Sequence, residues 1–96
     1  MKKGTIINYN GVKMRIPFDI AVNLNDIQKL ETVTNPYSNE TTVLPNFASA
    51  IYDTIKGCEM FYNAGDYKQS IKMNKGREFF QKYFTKEYYV LLDWAF

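Results

Sequence analysis

The chain has 96 residues, enough for one domain with a modest core, because chains of this length bury roughly 65% of their unfolded surface. Hydrophobic residues are 46%, charged residues 23% and the net charge is +2, which argues against disorder and against the large basic excess of an obligate nucleic-acid binder. There is no histidine and only one cysteine, Cys58, so the commonest general base, an internal disulfide and a cysteine-based zinc site are excluded.

In chain order, the first half reads as β. Thr5-Ile6-Ile7-Asn8-Tyr9 is a β-prone run, and Asn10-Gly11 is the dipeptide that best tolerates a type I′ hairpin turn. Alternation follows: Val12, Met14, Ile16, Phe18, Ile20, Val22 and Leu24 are apolar, and mostly polar residues lie between them. Period two means one buried and one wet face. Pro17 cannot donate to a ladder and marks an edge, a bend or a break. Strands are predicted at 4–9 and 12–17, with a third at 18–23. Asn25 caps a short helix with Gln28 as its reciprocal partner, turning Ile27, Leu30 and Val33 inward. Asn35 to Asn39 is turn chemistry. Thr41 to Leu44 adds a short strand that Pro45 ends.

The second half reads as helical. From Phe47 to Tyr62 the residues Phe47, Ile51, Ile55, Cys58 and Tyr62 form one apolar stripe. Asn63-Ala64-Gly65 ends that helix, with Gly65 free to take a left-handed conformation. Asp66 caps the next, with Gln69 at capping-box spacing. A helix from 67 to about 83 is favoured over a strand, with a bend near Gly76. Thr85 caps a last helix over 86–95. The reading is α+β: one domain, 1–96, with a β-rich part over 1–44, in which an N-terminal hairpin or small meander packs on three to four helices of the part over 45–96.

The stretch Phe61-Tyr62-Asn63-Ala64-Gly65-Asp66-Tyr67-Lys68-Gln69-Ser70-Ile71 resembles the helix-turn-helix of a tetratricopeptide repeat. Asn74, Arg77 and Gly57 depart from that pattern, and one repeat forms no solenoid. The resemblance implies an αα-hairpin turn. Asn35-Pro36-Tyr37, Leu44-Pro45-Asn46-Phe47-Ala48 and Tyr88-Tyr89-Val90-Leu91-Leu92-Asp93 resemble small proteins of marine tailed phages. Those proteins share no agreed activity, so the resemblance implies an origin and a host-cell cytoplasmic location only. No apolar run reaches the ~18 residues of a membrane span, and the basic start lacks a signal-peptide h-region; a cytoplasmic protein without membrane contact is expected.

No catalytic, metal or cofactor site is expected. The serines lack a histidine to activate them. Cys58 falls on an apolar helix stripe, as a small buried thiol does, and the carboxylates are evenly spread. Two patterns suggest binding. Lys68, Lys72, Lys75, Arg77 and Lys82 lie in an acid-poor segment with aromatics interleaved, as phosphate neutralisation plus base stacking requires. A solvated helix face is the simpler account of the same residues. The C-terminus is apolar on every side of a helix. Leu91, Leu92, Trp94 and Phe96, with Phe79, Phe80 and Phe84, therefore form an expected protein interface, and its last six residues also resemble the tails that dock into sliding clamps. An ordinary core helix is the alternative. The expected function is a non-catalytic interaction or structural protein, a homo-oligomer or subunit; the alternative is a nucleic-acid-binding accessory protein.

Overall fold

Asn10 and Gly11 have φ of 52° and 82°, both in the left-handed region that a type I′ turn requires. In the computed structural model, which describes residues 1–92, this turn joins β1 (Ile6–Tyr9) to β2 (Val12–Arg15). Ile7 pairs with Met14 and Tyr9 with Val12 in the antiparallel register. The Asn8 side chain accepts from the Gly11 amide at 3.1 Å. Ile7 and Met14 are buried, whereas Val12 is exposed, so Val12 is not part of the core-facing surface that its place in the alternation implied.

The ladder stops at Arg15, and no strand forms over 18–23. Period-two burial nevertheless continues through Ile16, Phe18 and Ile20. The reason lies in the N-terminal segment, which runs beside it with irregular pairing. Gly4 donates to Ile16, Ile16 to Thr5 and Ile20 to Met1, all backbone to backbone. The Met1 ammonium donates to the Ile20 and Val22 carbonyls. The segment is extended and half-paired without being a sheet.

The short helix expected after Asn25 is replaced by one 3-10 turn at Leu24–Asp26, with no side-chain cap. Strand β3 (Leu30–Thr34) follows and pairs with β4 (Thr41–Pro45), Leu30 opposite Pro45. Thr32, Val33 and Thr34 are β-branched, and their χ1 restriction favours the pleated chain over a helix. Leu30 consequently faces solvent, while Ile27 and Val33 are half-buried. Asn35 closes this second hairpin. Its backbone amide donates to Glu40 and its carbonyl accepts from Asn39. Its side-chain oxygen accepts from Tyr37, and its Nδ2 donates to the Val90 carbonyl at 2.9 Å. Asn35 is fully buried.

Helix α1 (Asn46–Asn63) carries the predicted stripe in its first four members: Phe47, Ile51, Ile55 and Cys58 are buried, whereas Tyr62, near the end of the helix, is exposed. It ends in a Schellman motif. Gly65, at φ +104°, donates to Tyr62, and Asp66 donates to Phe61. A 3-10 turn at Tyr67–Gln69 leads into α2 (Ser70–Tyr83). Asp66 caps this turn through Lys68. Gln69 does not reciprocate, because its side chain instead accepts from the Cys58 thiol at 3.6 Å. Helix α3 is Thr85–Leu91. The Thr85 hydroxyl donates back to the Gln81 carbonyl and so closes α2 rather than capping α3. The described chain is therefore α+β, with antiparallel hairpins β1-β2 and β3-β4 and helices α1, α2 and α3. Its core is ring-rich: Phe47, Phe79, Phe80, Phe84 and Tyr9 meet at centroid distances of 5.3–6.4 Å.

Helix α2 continues through Gly76, and close packing accounts for a glycine there. A Cβ at that position would stand 2.5 Å from Ile55 Cγ1, 2.8 Å from Ile55 Cδ1 and 3.2 Å from Phe18. Gly76→Ala gains about 1 kcal/mol of helix propensity but meets an overpacking cost of about 1–3 kcal/mol. A net loss of up to ~2 kcal/mol is expected in urea unfolding, and a stabilised variant would mean that Ile55 swings aside freely. Asn35→Ala leaves the partly buried Val90 carbonyl without this donor and should cost about 1–3 kcal/mol in the same assay.

Candidate nucleic-acid interface

Spacings of four and three residues set Lys68, Lys72 and Lys75 along one side of the second helical segment, and Lys82 follows two turns on. The N-terminal segment brings further cations to that side. The Lys3 amide donates to the Asp19 carboxylate at 2.7 Å, and Gly4 is tied to Ile16. These bonds hold Lys3 against α2. Arg15, at the end of β2, comes with it.

Two adjoining grooves result. One, of about 340 Å³, is lined by Lys3, Arg15, Lys75 and Lys82 with Ile16, Pro17, Phe79 and Tyr83. The other, of about 420 Å³, is lined by Lys3, Lys68, Lys72 and Lys75 with Pro17, Phe18 and Ile71. Lys3, Pro17 and Lys75 belong to both. Glu78 in the first and Asp19 in the second are the acids of the walls. The cations lie over rings: Lys72 Nζ is 5.4 Å from the Phe18 centroid and Lys82 Nζ 5.2 Å from that of Tyr83.

Lys3 perturbs Lys75. A side-chain hydrogen bond with Lys3 pushes the Lys75 ammonium below the ordinary lysine value, and the charge of Lys3 adds to it. Burial contributes less, and Glu78 opposes the shift. Like charges brought together in this way favour the neutral amine until an anion arrives.

Lys68, Lys72, Lys75 and Lys82 thus line one continuous basic surface. Arg77 does not belong to it, because its guanidinium donates to the Tyr88 hydroxyl at 3.4 Å on the α3 side. Lys3 and Arg15 join the surface from a part of the sequence that no spacing rule connects to α2.

The expected protein interface is placed differently. Phe79, Phe80, Phe84, Leu91 and Leu92 are buried in this chain's own core. Leu91 and Leu92 both turn inward for a geometric reason. Helix α3 ends at Leu91, and Leu92 has left helical geometry with φ −128°. Its side chain is freed from the helical spacing and turns inward beside Leu91. Tyr89 remains exposed. Trp94 and Phe96 lie outside the described residues.

A third cavity, of about 280 Å³, gathers Asp26, Glu31 and Asp53 with Asn46 and Ser49. Burial, and then the Glu31 charge, raises the Asp53 carboxyl above its ordinary value. Among the described residues no group of three or more His, Cys, Asp or Glu is placed to hold a metal ion, and no helix is long and apolar enough to cross a membrane.

Comparison with protein-family models, with curated proteins and with solved structures finds no match. The reading of this surface rests on its own geometry.

Because its pKa is lowered, Lys75 should lose its proton at a lower pH than an ordinary lysine. Lys3→Gln removes the two largest causes, so the Lys75 midpoint should move up toward the ordinary value. NMR titration of the lysine side-chain carbons reads this directly, and an unmoved midpoint would remove Lys3 as the cause.

Proposed function

We propose that this chain is a non-catalytic nucleic-acid-binding accessory protein that neutralises a run of backbone phosphates along the outer side of α2. The observation that carries the reading is the set of six cations, Lys3, Arg15, Lys68, Lys72, Lys75 and Lys82, that line the two adjoining grooves. A polyanion laid along clustered cations relieves their mutual repulsion. The row from Lys68 to Lys82 extends roughly 20 Å at the helical rise, long enough for several consecutive phosphates. The interleaved Phe18, Tyr83 and Ile71 suit a ligand with flat apolar parts beside its charges. In this reading the protein is a phage-like accessory factor of the host-cell cytoplasm.

The competing reading, a homo-oligomer joined through the C-terminal helix, has less support. Of its side chains, Phe79, Phe80, Phe84, Leu91 and Leu92 serve this chain's own core, and Trp94 and Phe96 lie outside the described residues.

Fluorescence anisotropy against a labelled oligonucleotide tests the proposal. With four to six cations engaged, log K should fall with log salt at a slope of about −3 to −4 on single strands. Lys68→Gln, Lys72→Gln and Lys75→Gln together should flatten that slope by about 2 and leave the circular dichroism unchanged. A slope near zero, or a triple variant that binds like the parent, would remove the basic surface from the account. Size-exclusion mass taken alongside tests the competing reading.

A further inference from the structure

The three most exposed large apolar side chains among the described residues are Met60, Ile71 and Tyr67, at 71%, 69% and 67%. Met60 stands in the last turn of α1, Tyr67 in the 3-10 turn that follows and Ile71 in the first turn of α2, beside Lys68 and Lys72 in the chain. Monomers avoid wet apolar clusters unless a ligand uses them. This tip is also rigidly built. The Schellman bonds of Gly65 and Asp66 and the Asp66 cap on Lys68 fix the backbone that carries Tyr67. Tyr62 meets the Tyr67 ring at 5.1 Å with an interplanar angle of 78°. An edge contact of that kind leaves at least one face of the Tyr67 ring open. Ile71 connects the tip to the groove, because it lines the same cavity as Lys68, Lys72 and Phe18.

From this juxtaposition we infer that the surface takes single-stranded rather than double-stranded nucleic acid, with an unpaired base stacked on Tyr67 while the adjoining phosphates meet Lys68 and Lys72. The inference rests on the proposed function and adds the form of the nucleic acid. The charge complementarity argues for a polyanion, and the open ring beside it for one whose flat apolar groups are accessible. Duplex bases stack on one another and present only their edges, so a duplex would engage the lysines and leave Tyr67 and Ile71 wet. Stacking on a protein ring tolerates any base, so little sequence preference is expected.

The experiment compares a labelled 12-nucleotide single strand with the duplex of the same sequence, at about 50 mM salt, where phosphate contacts are strong. The single strand should bind on the order of 10-fold tighter, and Tyr67→Ala should abolish that advantage without weakening duplex binding. Tyr67→Phe keeps the ring and should restore the preference. A 2-aminopurine in the strand should lose fluorescence on binding to the parent and keep it on binding to Tyr67→Ala. Equal affinity for strand and duplex, with Tyr67→Ala silent and the lysine variants still weakened, would overturn the inference and leave the proposed function standing. No binding to either nucleic acid would overturn both. Binding to anionic phosphatidylserine vesicles that Tyr67→Ala removes, without binding to the strand, would assign the tip to a lipid surface instead.

Discussion

The hydrogen atom that stands where Gly76 would otherwise carry a side chain governs the arrangement of this fold. It lets α2 lie against Ile55 of α1 and against Phe18 of the extended N-terminal half at distances no Cβ would permit. The interior of the protein gains close packing, in which dispersion contacts accumulate. The exterior gains something else. Lys75 is next to Gly76 and Lys72 one turn before it, so drawing the helix inward draws their ammonium groups over the N-terminal segment. Lys72 comes to lie above the Phe18 ring, and Lys75 meets Lys3. The packing of the core and the concentration of positive charge are therefore one geometric event.

Net charge conceals this arrangement. A value of +2 suggests a nearly neutral molecule. The structure sorts its charges, with Lys3, Arg15, Lys68, Lys72, Lys75 and Lys82 around two grooves and Asp26, Glu31 and Asp53 around a separate cavity. The local field is what a charged ligand meets, because charges beyond about 10 Å are largely screened in salt.

Features set by local physics were legible in the sequence. The Asn10-Gly11 turn, the stripe of α1 and the left-handed Gly65 each depend on a few neighbouring residues. The stripe of α1 was readable because an 18-residue helix repeats its pattern over several turns. Where the reading failed, the deciding contact was distant or the competition close. Asn25 and Gln28 looked like a capping box, but the β-branched run 32–34 found a partner strand in 41–45, and pairing outweighed the cap. Beyond the strand the alternation correctly marked Ile16, Phe18 and Ile20 as buried, but Leu24 is exposed, and the pattern did not show that the N-terminal residues, rather than a sheet, would cover that segment. The apolar C-terminus suggested a partner because it was read as one helix over 86–95; the described helix ends at Leu91, and Trp94 and Phe96 lie outside the described residues. Lys68, Lys72, Lys75 and Lys82 of the basic surface were visible as lysine spacing along the second helical segment. Lys3 and Arg15 were not, since only tertiary folding sets them beside Lys75.

The Asn35 amide also sets an order of events in time. It is buried, and the carbonyl that satisfies its Nδ2 lies 55 residues later, at Val90. A protein is made from its N-terminus, so the second hairpin emerges from the ribosome long before its acceptor exists. The β1-β2 turn and the α1-α2 pair close through nearby contacts and need not wait. The β3-β4 hairpin cannot bury Asn35 without cost until Val90 has been synthesised and α3 has docked. Locking of the second hairpin thus waits until Val90 has emerged and α3 has docked.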